Sequence, residues 1–196
     1  MTSSPAPPRF AHFDITVCGI DELGAMRDRG VTHILSLLDP DWPAPEPFAD
    51  LAGPHRLDLR FHDSIDPGPG LRLPEPADVE ALLLFGRDLP APGSHLVVHC
   101  QMGISRSSAA VLLLLAQARP DQDADAILAE LVRIRRHAWP NLRLVELGDA
   151  RMGRGGTLVE AAHGRYREVL RRRPDLGPVM LQMGRKREVE RILSAD

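Results

Sequence analysis

Apolar positions change period along the first forty residues. Phe13, Ile15 and Val17 alternate with polar neighbours, which predicts a strand with one face buried. DELGAMRDR then predicts a short helix stopped at Gly30. VTHILSLL, residues 31–38, is an almost unbroken apolar and β-branched run, as in a strand buried on both faces. Beyond a proline-laden surface loop, alternation returns at Leu57, Leu59 and Phe61, and helical spacing follows at Val79, Leu82, Leu83 and Phe85. The short run HLVVH, residues 95–99, predicts another strand. After it come a buried helix from Ser107 to Arg119, a helix capped by Asp123 with a stripe through Ile127, Leu131 and Ile134, and helices over LRLVELGDARM and TLVEAAHGRYREVLRRR. Strands that alternate with helices and then give way to helices predict an α/β fold, a mainly parallel central sheet flanked by helices with a helical C-terminal half.

Composition narrows this picture. The chain of 196 residues is long enough for one domain with a full core, and with aromatics at only 4% that core must be filled by Leu, Val, Ile and Ala. The longest apolar run, AAVLLLLA, is of helix-core length and far from the roughly 20 residues of a membrane span. The N-terminus has no basic region leading into an apolar one, so no secretory signal is expected and the cytoplasm is the default compartment. Two cysteines, Cys18 and Cys100, are too few for a disulfide framework, and the histidines lack paired metal-ligand spacing, so no metal is assigned. Lys186 is the one lysine among 24 basic residues, and Ala, Pro and Gly are abundant, which points to a GC-rich, bacterial coding sequence. Residues 151–196 carry 11 basic against 6 acidic side chains; an acidic partner or RNA would suit such a tail, but a solvated helix face is the simpler reading.

The stretch LVVHCQMGISRSS, residues 96–108, carries the chemistry. A loop that leaves a strand and enters a helix can turn successive N–H groups inward as an anion nest, with the helix dipole behind them. Gln101, Met102, Gly103, Ile104 and Ser105 would form that nest, Gly103 supplying a turn that a side chain would obstruct. Arg106, in the first helical turn, has a fork that can grip two phosphoryl oxygens. Cys100 at the base is then a nucleophile, since the same positive potential stabilises a thiolate. Ser107 can donate to that sulfur, and His99 is expected to fix the loop by hydrogen bonding.

HCQMGISRS resembles the His-Cys-x5-Arg-Ser/Thr signature of the cysteine-based protein tyrosine phosphatase superfamily, and most closely its compact dual-specificity branch. RGVTHILSLL and RIRRHAWPNLRLVEL resemble further segments of that branch, and the resemblance runs from about residue 13 to residue 150. It implies a phosphatase-like catalytic domain over residues 11–150, behind a disordered segment 1–10 and ahead of a basic helical extension, 151–196, packed on or trailing the domain. It further implies that an Asp upstream of the cysteine protonates the leaving oxygen. Asp63, just past the strand end in LRFHDSID, occupies the matching place, with Asp66 the alternative. Asn141 matches a position that braces the phosphate loop. Trp42 and Trp139 would edge the entrance or cover core, and Cys18 could protect an oxidised Cys100 only if the two approach closely.

The expected activity is hydrolysis of phosphate monoesters through a cysteinyl-phosphate, with no cofactor, acting on phosphotyrosine and phosphoserine or phosphothreonine in a protein or peptide. Two rivals stand beside it. One is an RNA or nucleotide phosphatase using the basic tail; the other is a pseudophosphatase that binds phosphoproteins, disfavoured because every loop residue needed for chemistry is present. Neither a membrane role nor an oligomeric state is implied.

Overall fold

The computed structural model describes residues 10–45, 54–90 and 93–193. Nearly all of the expected disordered segment 1–10, and the middle of the proline-rich loop, lie outside these. Four strands, β1 (Asp14–Cys18), β2 (His33–Leu38), β3 (His55–Arg60) and β4 (His95–His99), form one sheet in the order β1-β4-β2-β3. Every pairing is parallel, with His99 opposite Cys18 on one side and Ser36 on the other. β4 is therefore interior, and its C-terminal end opens between β1 and β2, the place where parallel sheets present ligands.

The two faces of the sheet are covered unequally. Leu35, Leu37, Leu59, Leu96 and Val98 point into the main core, and Ile34, Val97 and Cys18 form a smaller cluster with Leu23 and Met26 on the other face. Leu23 and Met26 lie in the helix predicted over DELGAMRDR, which spans Ile20–Met26 and winds as a 3-10 helix. It is short, and Glu22 turns its carboxylate back to the Gly19 N–H at 2.7 Å, so it is shaped by its ends.

The main face is packed by α1 (Pro76–Arg87) and α2 (Arg106–Ala118). Each α2 residue from Arg106 to Ala116 is buried, so α2 is the central helix, with α3 (Ala124–Ile134) and α4 (Leu142–Met152) against it. A side chain at Gly148 of α4 would lie 2.3 Å from Leu113 of α2, so glycine is what allows these helices their separation. Helices α5 (Thr157–Arg172), α6 (Leu176–Gln182) and α7 (Lys186–Leu193) complete the chain. They do not trail away: Leu158, Ala162, Tyr166, Leu170 and Val189 join the same core as the sheet. No helix among the described residues is long and apolar enough to cross a membrane.

Candidate active site

Residues 101–105 pass from β4 into α2 with every carbonyl turned outward. The Gln101 carbonyl accepts from Ile20 N–H at 3.0 Å, and that of Ile104 from Trp139 N–H at 2.9 Å. Ser105 C=O accepts from Ala109 and Asn141 N–H groups at 3.0 and 3.3 Å. Arg135 holds the other two, donating to Gly103 C=O at 3.0 Å and Met102 C=O at 3.2 Å, and is itself fixed by a bidentate pair with Glu22. With the carbonyls occupied outside, the peptide N–H groups are left on the inner side. Gly103 N–H donates to Cys100 Sγ at 3.2 Å, whereas those of Gln101, Met102, Ile104 and Ser105 have no acceptor among the described residues. Unpaired backbone donors beside a thiol are what an oxyanion site requires.

Gly103 is required twice. Its φ is +68°, and a Cβ there would lie 2.5 Å from the Cys18 carbonyl carbon, backbone that cannot give way. Cys100 is buried at 3% exposure at the floor of the loop, with Ser107 Oγ 3.2 Å from its sulfur. His99 is fixed by the Ser36 hydroxyl at Nε2, and burial pushes its imidazole down to about 4, so it is neutral at pH 7.

Arg106 is 1% exposed. Its Nη1 donates to Phe61 C=O at 2.6 Å and to Asp39 at 2.7 Å, and Asp39 also accepts from Gln101 Nε2 at 2.8 Å. Its Nε is buried without any partner among the described residues. A buried guanidinium N–H with no acceptor is unfavourable unless something else supplies one, and an oxyanion in the adjoining loop would.

Asp63 stands across the loop from this arginine. Its Oδ1 accepts from Ser105 Oγ at 2.7 Å and Asn141 Nδ2 at 2.8 Å, and lies 3.1 Å from Arg185 Nη1. Burial alone would favour the neutral carboxyl, but Arg185, Arg106, Ser105 and Asn141 together hold Asp63 below the ordinary carboxylate range. Asp66 is placed differently: it accepts from Arg187 at 2.7 Å and makes no hydrogen bond to residues 101–105. Asn141 does three things at once, capping α4 through Leu144 N–H, donating to Asp63 and tying its own N–H to Ser105. Trp139 is core, stacked on Tyr166 at 4.7 Å between centroids, whereas Trp42 is 43% exposed.

The pattern of residues did not single out Asp39, Arg135, Arg185 or Glu188. Asp39 directly follows β2 and so shares the sheet edge with Cys100, a placement that the predicted strand end could have suggested. Nothing local marks Arg185, which comes from 80 residues beyond Ser105.

Shape comparison decides what kind of scaffold this is. Human DUSP28 superposes with a TM-score of 0.55 at 16% identity, covering 74% of this chain and 98% of that one. The fold is that of the dual-specificity phosphatases. PTPMT1 in complex with PI(5)P gives 0.55 at 16% identity, over 75% and 94% of the two chains. The human tyrosine phosphatase-like serine/threonine/tyrosine-interacting protein gives 0.52 at 19% identity, over 69% and 85%. No protein-family model and no curated protein sequence matches the chain.

Proposed function

We propose that the protein is a cysteine-dependent phosphatase that hydrolyses phosphate monoesters. The observation that carries this reading is the loop of residues 101–105, with its carbonyls all bonded outward, around a buried cysteine and a buried arginine whose Nε has no partner among the described residues. Cys100 attacks phosphorus, forming the S–P bond as the ester P–O bond breaks. Arg106 and the loop N–H groups hold the equatorial oxygens, and Asp63 gives its proton to the departing oxygen. Water then attacks the cysteinyl-phosphate, giving its proton to the Asp63 carboxylate; the S–P bond breaks, releasing inorganic phosphate and the thiolate.

Asp63 must bind a proton to serve as the acid, although its neighbours favour the carboxylate. A bound phosphate dianion offsets the two arginines and raises its proton affinity at the moment the proton is needed. In the free enzyme the protonated form is scarce near neutrality, so kcat/KM should fall with rising pH from the acid side of 7.

The substrate class follows from three features. The loop side chains Gln101, Met102, Ile104 and Ser105 carry no charge, which suits a single phosphate on a peptide more than a polyanion. Several basic residues of the C-terminal helices are already paired within the chain, Arg151 with Glu80, Arg165 and Arg172 sharing Glu168, and Arg173 with Asp175, which weakens the RNA reading. PTPMT1 shares the fold and is seen with PI(5)P, so a lipid phosphate belongs beside the peptides in any test. The test is turnover of phosphotyrosyl and phosphoseryl peptides, a 5′-triphosphorylated RNA and PI(5)P by the intact chain and by Cys100→Ser. Peptide turnover that vanishes in Cys100→Ser supports the reading. Preference for RNA or lipid overturns the substrate class, and activity that survives Cys100→Ser overturns the mechanism.

A further inference from the structure

Two arginines from the far end of the chain grip the loop that carries the acid. Gly184, with φ +73°, ends α6 in a left-handed turn, and the N–H groups of Gly184 and Arg185 bond back to Leu181 and Met180 carbonyls at 3.1 and 2.9 Å. That turn sends Arg185 inward, where it is 3% exposed. Nη1 lies 3.1 Å from Asp63, Nη2 donates to Ser105 Oγ at 2.8 Å, and Nε and Nη2 together bond Glu188 at 2.8 and 3.0 Å. Glu188 is fully buried and further held by Trp139 Nε1 at 2.6 Å and Leu142 N–H at 3.1 Å. Two residues on, Arg187 takes the other end of the same loop, donating to Asp66 at 2.7 Å and Ile65 C=O at 2.8 Å.

We propose that the turn between α6 and α7 is part of the catalytic apparatus, a clasp in which Arg185 is the positioning residue for Asp63 and Arg187 holds the remainder of the 63–66 loop. The proposal rests on the reading of Asp63 as the proton donor. Its physical content is that a loop of four residues, fixed from the phosphate-loop side by Ser105 and Asn141 alone, is not held on its other side to the tolerance that proton transfer needs unless the two arginines hold it there. The groups around Asp63 are Arg106 from α2, Arg185 with Glu188 behind it, the amide of Asn141 and the Tyr166 phenol of α5, which burial keeps neutral. Arg185 and Arg106 are thus the two cations that face the carboxylate, and Arg106 is committed to phosphate.

The full-length chain is assayed from pH 4 to pH 9 with p-nitrophenyl phosphate, whose leaving group needs little protonation, and phenyl phosphate, whose leaving group needs more. Arg185→Gln should slow phenyl phosphate by roughly tenfold or more relative to p-nitrophenyl phosphate and move the descending limb of kcat/KM to higher pH, with inhibition by vanadate changed less than about threefold. Arg185→Lys keeps the charge without the fork, so the limb should stay in place while the rate falls. A folded Arg185→Gln with the limb and leaving-group dependence of the intact protein overturns the proposal.

Should the uncompensated Glu188 prevent folding, the pair Arg185→Gln with Glu188→Gln replaces both charges by amides and is judged by the same outcomes. Arg187 is partly exposed, and Arg187→Gln should speed amide exchange in residues 63–66 and slow phenyl phosphate without moving the limb. Unchanged exchange and rates there also overturn the clasp. Asp63→Asn, measured in parallel, separates the two ideas. If it abolishes the limb while Arg185→Gln leaves it alone, only the clasp fails; if it leaves the limb intact, the proton-donor reading fails.

Discussion

The loop of residues 101–105 and the loop of residues 63–66 face one another across the site and are held in opposite ways. The first hangs between β4 and α2, its carbonyls bonded by backbone N–H groups and by Arg135, and its sharpest turn is made by Gly103. The second is held by side chains, Ser105, Asn141, Arg185 and Arg187, the last pair reaching back by about 120 residues of chain. On the proposed phosphatase reading, the site therefore has a rigid half, where an anion would be bound by geometry built into the backbone, and a dependent half, where the proton donor is held in place by the rest of the fold. Damage to each should look different.

The rigid half should fail outright. Cys100→Ser should leave no measurable turnover while the chain stays folded, because the hydroxyl is far less ionised than the thiol; Arg106→Lys should lose roughly 10³-fold, an ammonium having no fork for two oxygens. Steady-state assays with p-nitrophenyl phosphate and circular dichroism check both. Near-normal rates in either variant would break the contrast at its strongest point.

Gly103→Ala tests whether backbone geometry is what matters. The added methyl meets the Cys18 carbonyl and forces a positive φ on alanine, so we expect vanadate affinity to collapse together with a stability loss of about 1–3 kcal/mol. Vanadate inhibition and thermal melting read the two effects, and retained affinity would show that the nest is more plastic than its contacts imply.

The dependent half should fail selectively. Asp63→Asn should slow phenyl phosphate by roughly 10²- to 10⁴-fold and p-nitrophenyl phosphate far less, and remove the descending limb of the pH profile. Asp66→Asn should leave the limb in place, since Asp66 faces Arg187 and not the phosphate loop. Exchange of these behaviours between the two variants would assign the proton to Asp66.

A smaller effect concerns stability. Asp63 is held below its ordinary range in the folded state, so its ion pair stabilises the protein above the usual carboxylate pKa and that contribution is lost as pH falls through the lowered value. Thermal melting from pH 7 down to pH 3 should therefore show a shallower decline for Asp63→Asn than for the intact chain. Equal slopes would mean that Arg185 does not bind Asp63 preferentially as the carboxylate.

The mildest test concerns the two thiols. Burial pushes the Cys18 thiol up to about 12, with Glu22 reinforcing and Arg135 opposing the shift, so iodoacetamide at neutral pH should label Cys100 and leave Cys18 untouched. Equal labelling by peptide mapping would contradict the raised proton affinity of the Cys18 thiol.

Much of this arrangement was legible along the chain. Period-two and continuous apolar runs mark all four strands because neighbouring side chains on a strand must face opposite sides of a sheet, and the small or uncharged residues between Cys100 and Arg106 suggest a nest because an anion cradle is a property of a few consecutive peptides. The 3-10 form of residues 20–26 was not legible, since a helical stripe of Leu23 and Met26 serves either winding and the ends decide. Asp63 could be placed by its position after a strand, but its environment could not.

The sequence by itself determined the alternation of strands and helices, the strand–loop–helix unit that carries Cys100 and Arg106, and the candidate acids that follow β3. Each of these is encoded within a dozen residues, where backbone geometry and side-chain period act directly. Only the tertiary structure decided that Asp39 would share Arg106, that Arg135 would anchor the loop's outward carbonyls, and that Arg185 and Glu188 would be buried beside Asp63. Those partners are charged side chains brought together over about 30 to 120 residues by core packing, and a charge that will be buried against a distant partner has the same local sequence as one left in water.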